Sequence, residues 1–194
     1  MKFYTLPMRL MHWSAAATVI LALLIGILVG YELVEGSPEI GDFLYSLHIS
    51  LGVLAMLIMA ARLFVRQASP RPAVKGDRMA QRLAGSVHAL LYLLALAVPL
   101  LGYAMDLGYG GVPALFGIAL PDFGWLAPVG TQHPAAETLY YLHSYGAHVL
   151  AFLIAAHVAA AIWRTVRAAP GEVDGLRRMW GPASKIPYNE QRRS

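Results

Sequence analysis

Histidine is the residue type in this 194-residue chain whose placement points to chemistry, and the pattern is clearest on one apolar segment. His143 and His157 are 14 residues apart. On an α-helix that spacing falls about 40° short of four full turns, so both imidazoles project from nearly the same face. The rise per residue separates them by roughly 21 Å along the axis, about two thirds of a ~30 Å bilayer core. Ionisable side chains at such depth are usually functional, although two histidines can also serve only as hydrogen-bonding partners of neighbouring helices.

The composition indicates a membrane protein. Hydrophobic residues make up 58% of the chain and charged residues only 13%, and the mean hydropathy is +0.55. In a soluble domain about a quarter of all residues are charged. Cysteine is absent, which excludes disulfides, iron–sulfur clusters and covalent haem attachment through Cys-x-x-Cys-His.

Four apolar runs without Lys, Arg, Asp or Glu are each long enough to cross a bilayer. They predict an all-α, integral membrane four-helix bundle over residues 1–169, with helices at about 8–31, 43–65, 83–105 and 138–166. The first run is interpreted as a retained helix, because no small-residue cleavage site follows it. Glycines and prolines in the outer loop at 106–137 argue against a fifth spanning helix. A polar, basic tail is predicted over 170–194.

The charges between the runs predict the orientation of the bundle. All 15 basic residues lie before the first run, between the second and third, or after the fourth, whereas the other two connections carry acids only. By the positive-inside rule both termini are predicted to be cytoplasmic. The basic surplus is therefore explained by topology, and no nucleic-acid partner is expected.

Depth within these helices sorts the histidines into two layers. His48 and His143 each lie six residues past an acid that precedes an inward-running helix, so their depths match. His157 lies seven residues before the next basic residue, near the inner side. Its partner at the inner level is either His12 or His88. Counting from the flanking charges makes His88 the closer match in depth, and the residues alone leave both open.

Four histidines in two layers match two non-covalent b haems, each with two axial imidazoles, stacked across the bilayer. An iron with both axial positions filled has no open site for oxygen chemistry, so electron transfer is its natural role. Zinc is the rival metal, but it prefers tetrahedral sites with three or four protein ligands, often Cys or carboxylate. Neither layer is expected to hold a buried carboxylate, which argues against a metal ion alone.

Several short segments are informative in combination. They are Arg9 to Trp13, Leu44 to Gly52, Val87 to Leu94, Leu115 to Gly117, the spacing from His143 to His157, and Leu176 to Met179. Together they resemble the bacterial cytochrome b561 family over about residues 5–180. More distantly, they resemble the cytochrome b subunits of nickel–iron hydrogenases and formate dehydrogenases.

This resemblance implies a ligand set. His12 and His157 would bind the inner haem, and His48 and His143 the outer one. His88 would lie beside the inner haem, near a propionate or a quinone head group. The resemblance further implies a multi-pass protein of the bacterial inner membrane that exchanges electrons between a periplasmic reactant and membrane quinone. Members similar to this chain oxidise superoxide at the outer face and pass the electron to ubiquinone.

The outer charges favour a second function as well. The outer connections carry acids and no Lys or Arg, so the positive field that would draw in a superoxide anion is missing. An acidic outer face better suits a cationic protein, such as a basic cytochrome c or a dehydrogenase or hydrogenase subunit. The two functions to be separated are therefore a superoxide:ubiquinone oxidoreductase and an electron-transfer subunit for a periplasmic partner.

Other residues have simpler interpretations. His148 points away from both predicted haem ligands and is expected to bond a neighbouring helix, and His133 is expected to be solvated in the outer loop. Helical glycines serve either close approach of a haem plane or ordinary helix packing; these are Gly26, Gly30, Gly52, Gly102 and Gly146. Arginines of the second connection are candidates for charge-assisted bonds to inner-haem propionates; these are Arg62, Arg66, Arg78 and Arg82.

Overall fold

Four long α-helices make up most of the part of the chain that the structure describes. The computed structural model describes residues 3–30, 37–70, 77–122, 133–168 and 175–181. The helices are α1 (Leu6–Gly30), α2 (Pro38–Ala68), α3 (Arg78–Gly108) and α4 (Ala136–Arg167). Each is long and apolar enough to cross a membrane. The predicted all-α four-helix bundle is confirmed, and the protein is a multi-pass membrane protein.

α2 and α3 begin before their apolar runs, because polar residues at their N-terminal ends are also helical. α2 begins at Pro38, where the missing N–H of proline would have had no helical partner. α3 begins at Arg78, directly after Asp77, whose carboxylate accepts a hydrogen bond from the backbone N–H of Ala80 at 3.4 Å. Hydrophobicity therefore locates the membrane-spanning part of each helix but not its ends.

The helices pack as two pairs. α1 lies along α2 and α3 along α4, α2 and α3 join the pairs, and α1 and α4 touch only sparsely. Small side chains allow the close approach, and the largest buried cluster consists of Ala15, Val19, Ala55, Met59, Tyr92, Ala95, Val98 and Leu150. Leu150 is seven residues from both His143 and His157. This packed centre therefore separates an outer layer of the bundle from an inner one.

A short hairpin covers part of the outer side. It pairs β1 (Ala114–Leu115) with β2 (Ile118–Ala119), and Phe116 and Gly117 form the turn with φ values of 49° and 86°. Positive φ at both central residues is the usual geometry of a two-residue hairpin. The backbone N–H of Phe116 donates to the hydroxyl of the buried Ser50 at 2.9 Å. The hairpin is thereby attached to α2 two residues from His48.

Part of the predicted basic tail is folded against the start of α1. The short helix α5 (Gly175–Trp180) ends there. Arg9 Nε donates to the Met179 carbonyl at 3.1 Å, and its guanidinium also donates to the Trp180 carbonyl. Trp13 Nε1 donates to the same Met179 carbonyl at 3.3 Å. A guanidinium at a helix C-terminus satisfies carbonyls that have no helical partner, so these contacts hold α5 in place.

Candidate functional site

Two histidines face each other in the outer layer, one from α2 and one from α4. The ring centroids of His48 and His143 are 6.0 Å apart, and the ring planes are nearly perpendicular at 82°. Both side chains are half-buried. The structure therefore brings together the two histidines whose depths match in the sequence.

The neighbouring helix holds each imidazole of this outer pair in the same way. His48 Nδ1 lies 3.0 Å from the Ala22 carbonyl of α1, and His143 Nδ1 lies 2.9 Å from the Val98 carbonyl of α3. A carbonyl can only accept, so Nδ1 carries the proton and donates in both rings. This leaves Nε2 of each histidine with a lone pair. Metal-binding histidines are oriented by this kind of bond from the second ring nitrogen.

A glycine one turn after each accepting carbonyl makes room for the ring. A Cβ at Gly26 would lie 2.7 Å from His48 Cε1, and a Cβ at Gly102 would lie 2.8 Å from His143 Cε1. Both distances are shorter than real Cβ contacts, so only glycine fits without movement of the imidazole. These two glycines provide space for histidine rings. A Cβ at Gly30, Gly52 or Gly146 would not contact a histidine.

The distance between the two rings of the outer pair fits one metal ion bound between them. Two bonds of ~2.0–2.1 Å from imidazole nitrogens to one ion put the ring centres about 6 Å apart. Within the described residues, no group of three or more His, Asp or Glu side chains is arranged to hold a metal ion. Two opposed imidazoles suit a haem iron, whose remaining ligands belong to the porphyrin, better than tetrahedral zinc.

A cavity between α2, α3 and α4 adjoins the outer pair. Its lining includes both histidines together with Tyr45, Gly52, Tyr103, Met105 and Asp106. Asp106 is only 7% exposed and accepts a hydrogen bond from the Tyr45 hydroxyl at 2.6 Å. The expectation that neither layer holds a buried carboxylate is therefore wrong for the outer layer. Asp106 directly follows an apolar run, and the sequence does not show that the outer turn folds back over it. A Cβ at Gly111 would lie 2.6 Å from its Oδ1.

The inner layer contains three histidines. The ring centroid of His157 on α4 is 5.3 Å from that of His88 on α3, at an interplanar angle of 71°. His12 on α1 lies within electrostatic range of both. The structure thus places both possible partners near His157, with the ring of His88 in contact.

The hydrogen bonds of the two possible partners differ. His12 Nδ1 is 2.9 Å from a guanidinium nitrogen of Arg62. A guanidinium has no acceptor, so His12 accepts here and its proton is on Nε2. His88 instead bonds the backbone carbonyl of Ala84 in its own helix, which leaves its other nitrogen with a lone pair. In this arrangement His88 resembles the outer pair, and His12 has the opposite tautomer.

The remaining histidines lie outside both layers. His148 is exposed, and its Nδ1 is 2.7 Å from the Ser144 carbonyl of its own helix. His133 is half-buried rather than fully solvated. Its ring Nδ1 accepts from the backbone N–H of Ala135 at 3.0 Å, and its backbone N–H donates to the Gly108 carbonyl at 2.8 Å. His133 therefore connects the end of α3 to the start of α4, beside an outer groove lined by Tyr109, Glu137, Tyr140 and Tyr141.

The chain is similar to known proteins over most of its length. The family model described as prokaryotic cytochrome b561 matches residues 3–182. A Yersinia pestis protein named probable superoxide oxidase CybB is 27% identical over 153 residues. That alignment covers 78% of this chain and 82% of the Yersinia protein.

Proposed function

Because this chain belongs to the prokaryotic cytochrome b561 family, we propose that it is a di-haem cytochrome b that carries electrons between a periplasmic reactant and membrane quinone. Membership itself makes it a membrane electron-transfer protein and implies haem b. When bound, an iron with two axial imidazoles supplies one-electron transfer with no open position for oxygen chemistry. We further propose how many haems the chain binds, which residues bind them, and which two reactants exchange electrons with them.

The observation that carries the proposal is the outer pair. The rings of His48 on α2 and His143 on α4 have their centroids 6.0 Å apart, and each is fixed through Nδ1 by a carbonyl of the adjacent helix. With Nδ1 engaged, Nε2 of each ring is the nitrogen that would hold the iron of the outer haem. Preoriented ligands need little rearrangement to bind the cofactor, which favours tight binding.

The inner haem is assigned to His157 with His12. The family resemblance supports His12, and His12 lies near His157 in the inner layer. His88 is the competing ligand, because its ring touches that of His157. If His12 binds through Nε2, the bond from Arg62 to its Nδ1 must break, since the proton then moves to Nδ1. His88 is then a neighbour of the haem rather than an axial ligand.

Superoxide is the proposed electron donor and ubiquinone the proposed acceptor. Two superoxide ions would give up one electron each and leave as two molecules of oxygen. Ubiquinone would take both electrons and two protons and leave as ubiquinol. The name of the Yersinia pestis relative supports superoxide as the substrate class. In this orientation the outer pair faces the periplasm and the basic connections face the cytoplasm of a bacterial inner membrane.

One observation favours a second function, electron transfer with a periplasmic protein. The outer groove beside His133 is lined by three tyrosines and Glu137, and Asp122 adds a further acid on the same side. Aromatic side chains with negative charge and no Lys or Arg suit a cationic protein surface better than a small anion. A basic cytochrome c or a dehydrogenase or hydrogenase subunit would then occupy this groove.

Ligand variants of the purified protein test the haem proposal. We expect two haems per chain, all extracted by acid–acetone because none is covalently held. His48→Ala and His143→Ala should lose the same haem, and His157→Ala the other. His148→Ala is the matched control and should keep both. A wild-type stoichiometry near one haem would contradict the proposal.

The inner ligand and the electron donor need separate measurements. His12→Ala should lose the inner haem and His88→Ala should keep it; the reverse result would exchange their roles. Rapid mixing of the oxidised protein with superoxide should reduce the outer haem faster than superoxide disproportionates. If it does not, and a cationic cytochrome c exchanges electrons with the outer haem in a salt-dependent manner, the second function replaces the first.

A further inference from the structure

Arg62 places a positive charge at the level of the inner histidines. It follows His48 on α2 by 14 residues, the same spacing that separates His143 from His157 on α4. The guanidinium therefore occupies, on α2, the level that the second histidine occupies on α4. It reaches far enough inward to touch His12 of α1 at 2.9 Å. A charge in this position must be balanced by a nearby anion or accept a large desolvation penalty.

No such anion is provided by the described residues. The Nε of Arg62 is buried and has no hydrogen-bond partner within them. The titratable side chains that interact electrostatically with Arg62 are Tyr92, Arg66, Tyr4 and the three inner histidines, and none of them is an acid. A buried donor with no acceptor is uncommon in folded proteins, and it marks a place where a missing partner is to be sought.

A second guanidinium stands beside the first. The guanidinium carbons of Arg62 and Arg66 lie 5.0 and 4.9 Å from the centre of the same Tyr92 ring. Attraction to the ring face holds both cations, but it does not neutralise them, and the two like charges repel each other. Two neighbouring guanidiniums with donors to spare form a strong site for a planar oxyanion, which can accept two parallel hydrogen bonds.

We propose that Arg62 and Arg66 bind a carboxylate of the inner haem. This inference rests on the proposed function, since it requires a haem in the inner layer. Haem b carries two propionates, and they accompany the porphyrin into the level that Arg62 reaches. A lipid phosphate carries the same kind of charge, but its head group stays at the membrane surface, whereas the Nε of Arg62 is enclosed within the bundle.

The same site links the carboxylate to the choice of inner ligand. If His12 is the axial ligand through Nε2, its Nδ1 carries a proton and no longer accepts from Arg62. The guanidinium then loses its one hydrogen-bonded partner among the described side chains, and a carboxylate replaces it. If His88 is the ligand, Arg62 keeps His12, and the carboxylate bonds the unpaired Nε. Both arrangements need the anion.

Holoprotein containing haem labelled with ¹³C at the propionate carboxyls tests the proposal. Reduced-minus-oxidised infrared spectra then report the carboxylates, and a redox titration reports the inner haem. In Arg62→Gln the label-sensitive band should shift. Reduction of the inner haem should become about tenfold less favourable, ~59 mV for one electron, because a cation that favours the reduced iron is lost. Arg62→Lys keeps the charge, so its potential should stay closer to the wild type while the band still shifts.

Arg164→Gln is the matched control, because Arg164 is exposed near the inner end of α4 and should change neither reading. A fall in the potential of the inner haem without a shift of the carboxylate band would contradict a contact between Arg62 and the carboxylate. It would show that the charge of Arg62 acts on the haem only at a distance. A loss of bound phospholipid with an unchanged band would assign the site to a lipid phosphate instead. A wild-type protein with only the outer haem would defeat the proposed function itself, which is a different failure.

Discussion

Replacing Gly102 with alanine is expected to weaken the outer haem site and leave the inner one intact. The new Cβ would lie 2.8 Å from Cε1 and 2.9 Å from Nδ1 of His143, whereas ordinary contacts begin at 3.4 Å. The imidazole must therefore retreat by roughly half an ångström along the direction of contact. That movement stretches its 2.9 Å bond to the Val98 carbonyl towards the limit of a hydrogen bond.

The size of the effect follows from three opposing contributions. Overpacking costs about 1–3 kcal/mol. Loss of the imidazole hydrogen bond costs about 1 kcal/mol more. Alanine recovers about 1 kcal/mol through its higher helix propensity. The net loss of about 1–3 kcal/mol corresponds to outer-haem affinity that is roughly 5- to 150-fold lower.

Haem content and a redox titration of purified protein measure this loss. Gly85→Ala is the matched control on the same helix, since nothing lies within 4 Å of a Cβ there. Gly26→Ala should weaken the same haem as Gly102→Ala, because it displaces the opposite ligand, His48. If Gly102→Ala retains both haems at wild-type potentials, the glycine does not hold the imidazole in its ligating position, and the assignment of the outer pair loses its main support.

Three further predictions concern other parts of the bundle. Tyr45→Phe leaves the buried Asp106 carboxylate one donor short and should lower the free energy of unfolding by about 1–3 kcal/mol. Asp106→Asn should lower it by less. Equal thermal midpoints for Tyr45→Phe and wild type would contradict this prediction. A reporter enzyme fused after Ser194 should be active only in the cytoplasm, and periplasmic activity would reverse the orientation. Arg9→Gln removes the guanidinium that donates to the Met179 and Trp180 carbonyls and leaves only the Trp13 donor, so trypsin should cleave within α5 faster than in wild type. An unchanged rate would show that other contacts hold α5.

The sequence predicted the membrane-spanning helices well, because uncharged apolar runs are a direct consequence of the bilayer. It placed the ends of α1 and α4 within two residues but the starts of α2 and α3 less closely. Pro38 and Arg78 begin α2 and α3 five residues before the predicted starts, since helix caps and hydrogen bonds continue a helix through polar residues. The hairpin at 114–119 was likewise missed, because two-residue strands have no period that a sequence can display.

The histidines of the candidate site could be found from their depths, but their surroundings could not. The matched depth of His48 and His143 is a property of spacing, and the structure brings the two rings together. Their Nδ1 partners are backbone carbonyls, which every residue has, so no letter of the sequence marks Ala22 or Val98. The burial of Asp106 depends on how the outer turn folds back over it. The choice between His12 and His88 stays a prediction.

The hydrogen bonds of the outer pair run within the two helix pairs and not between them. His48 of α2 is held by α1, and His143 of α4 is held by α3. Each half of the protein therefore orients its own ligand independently of the other, as expected when helices insert first and associate afterwards. A cofactor that takes one ligand from each half acts as a bivalent crosslink, since binding to one half raises the effective concentration of the other. Loss of the outer cofactor should accordingly weaken the packing between the two helix pairs before it weakens the packing within either pair.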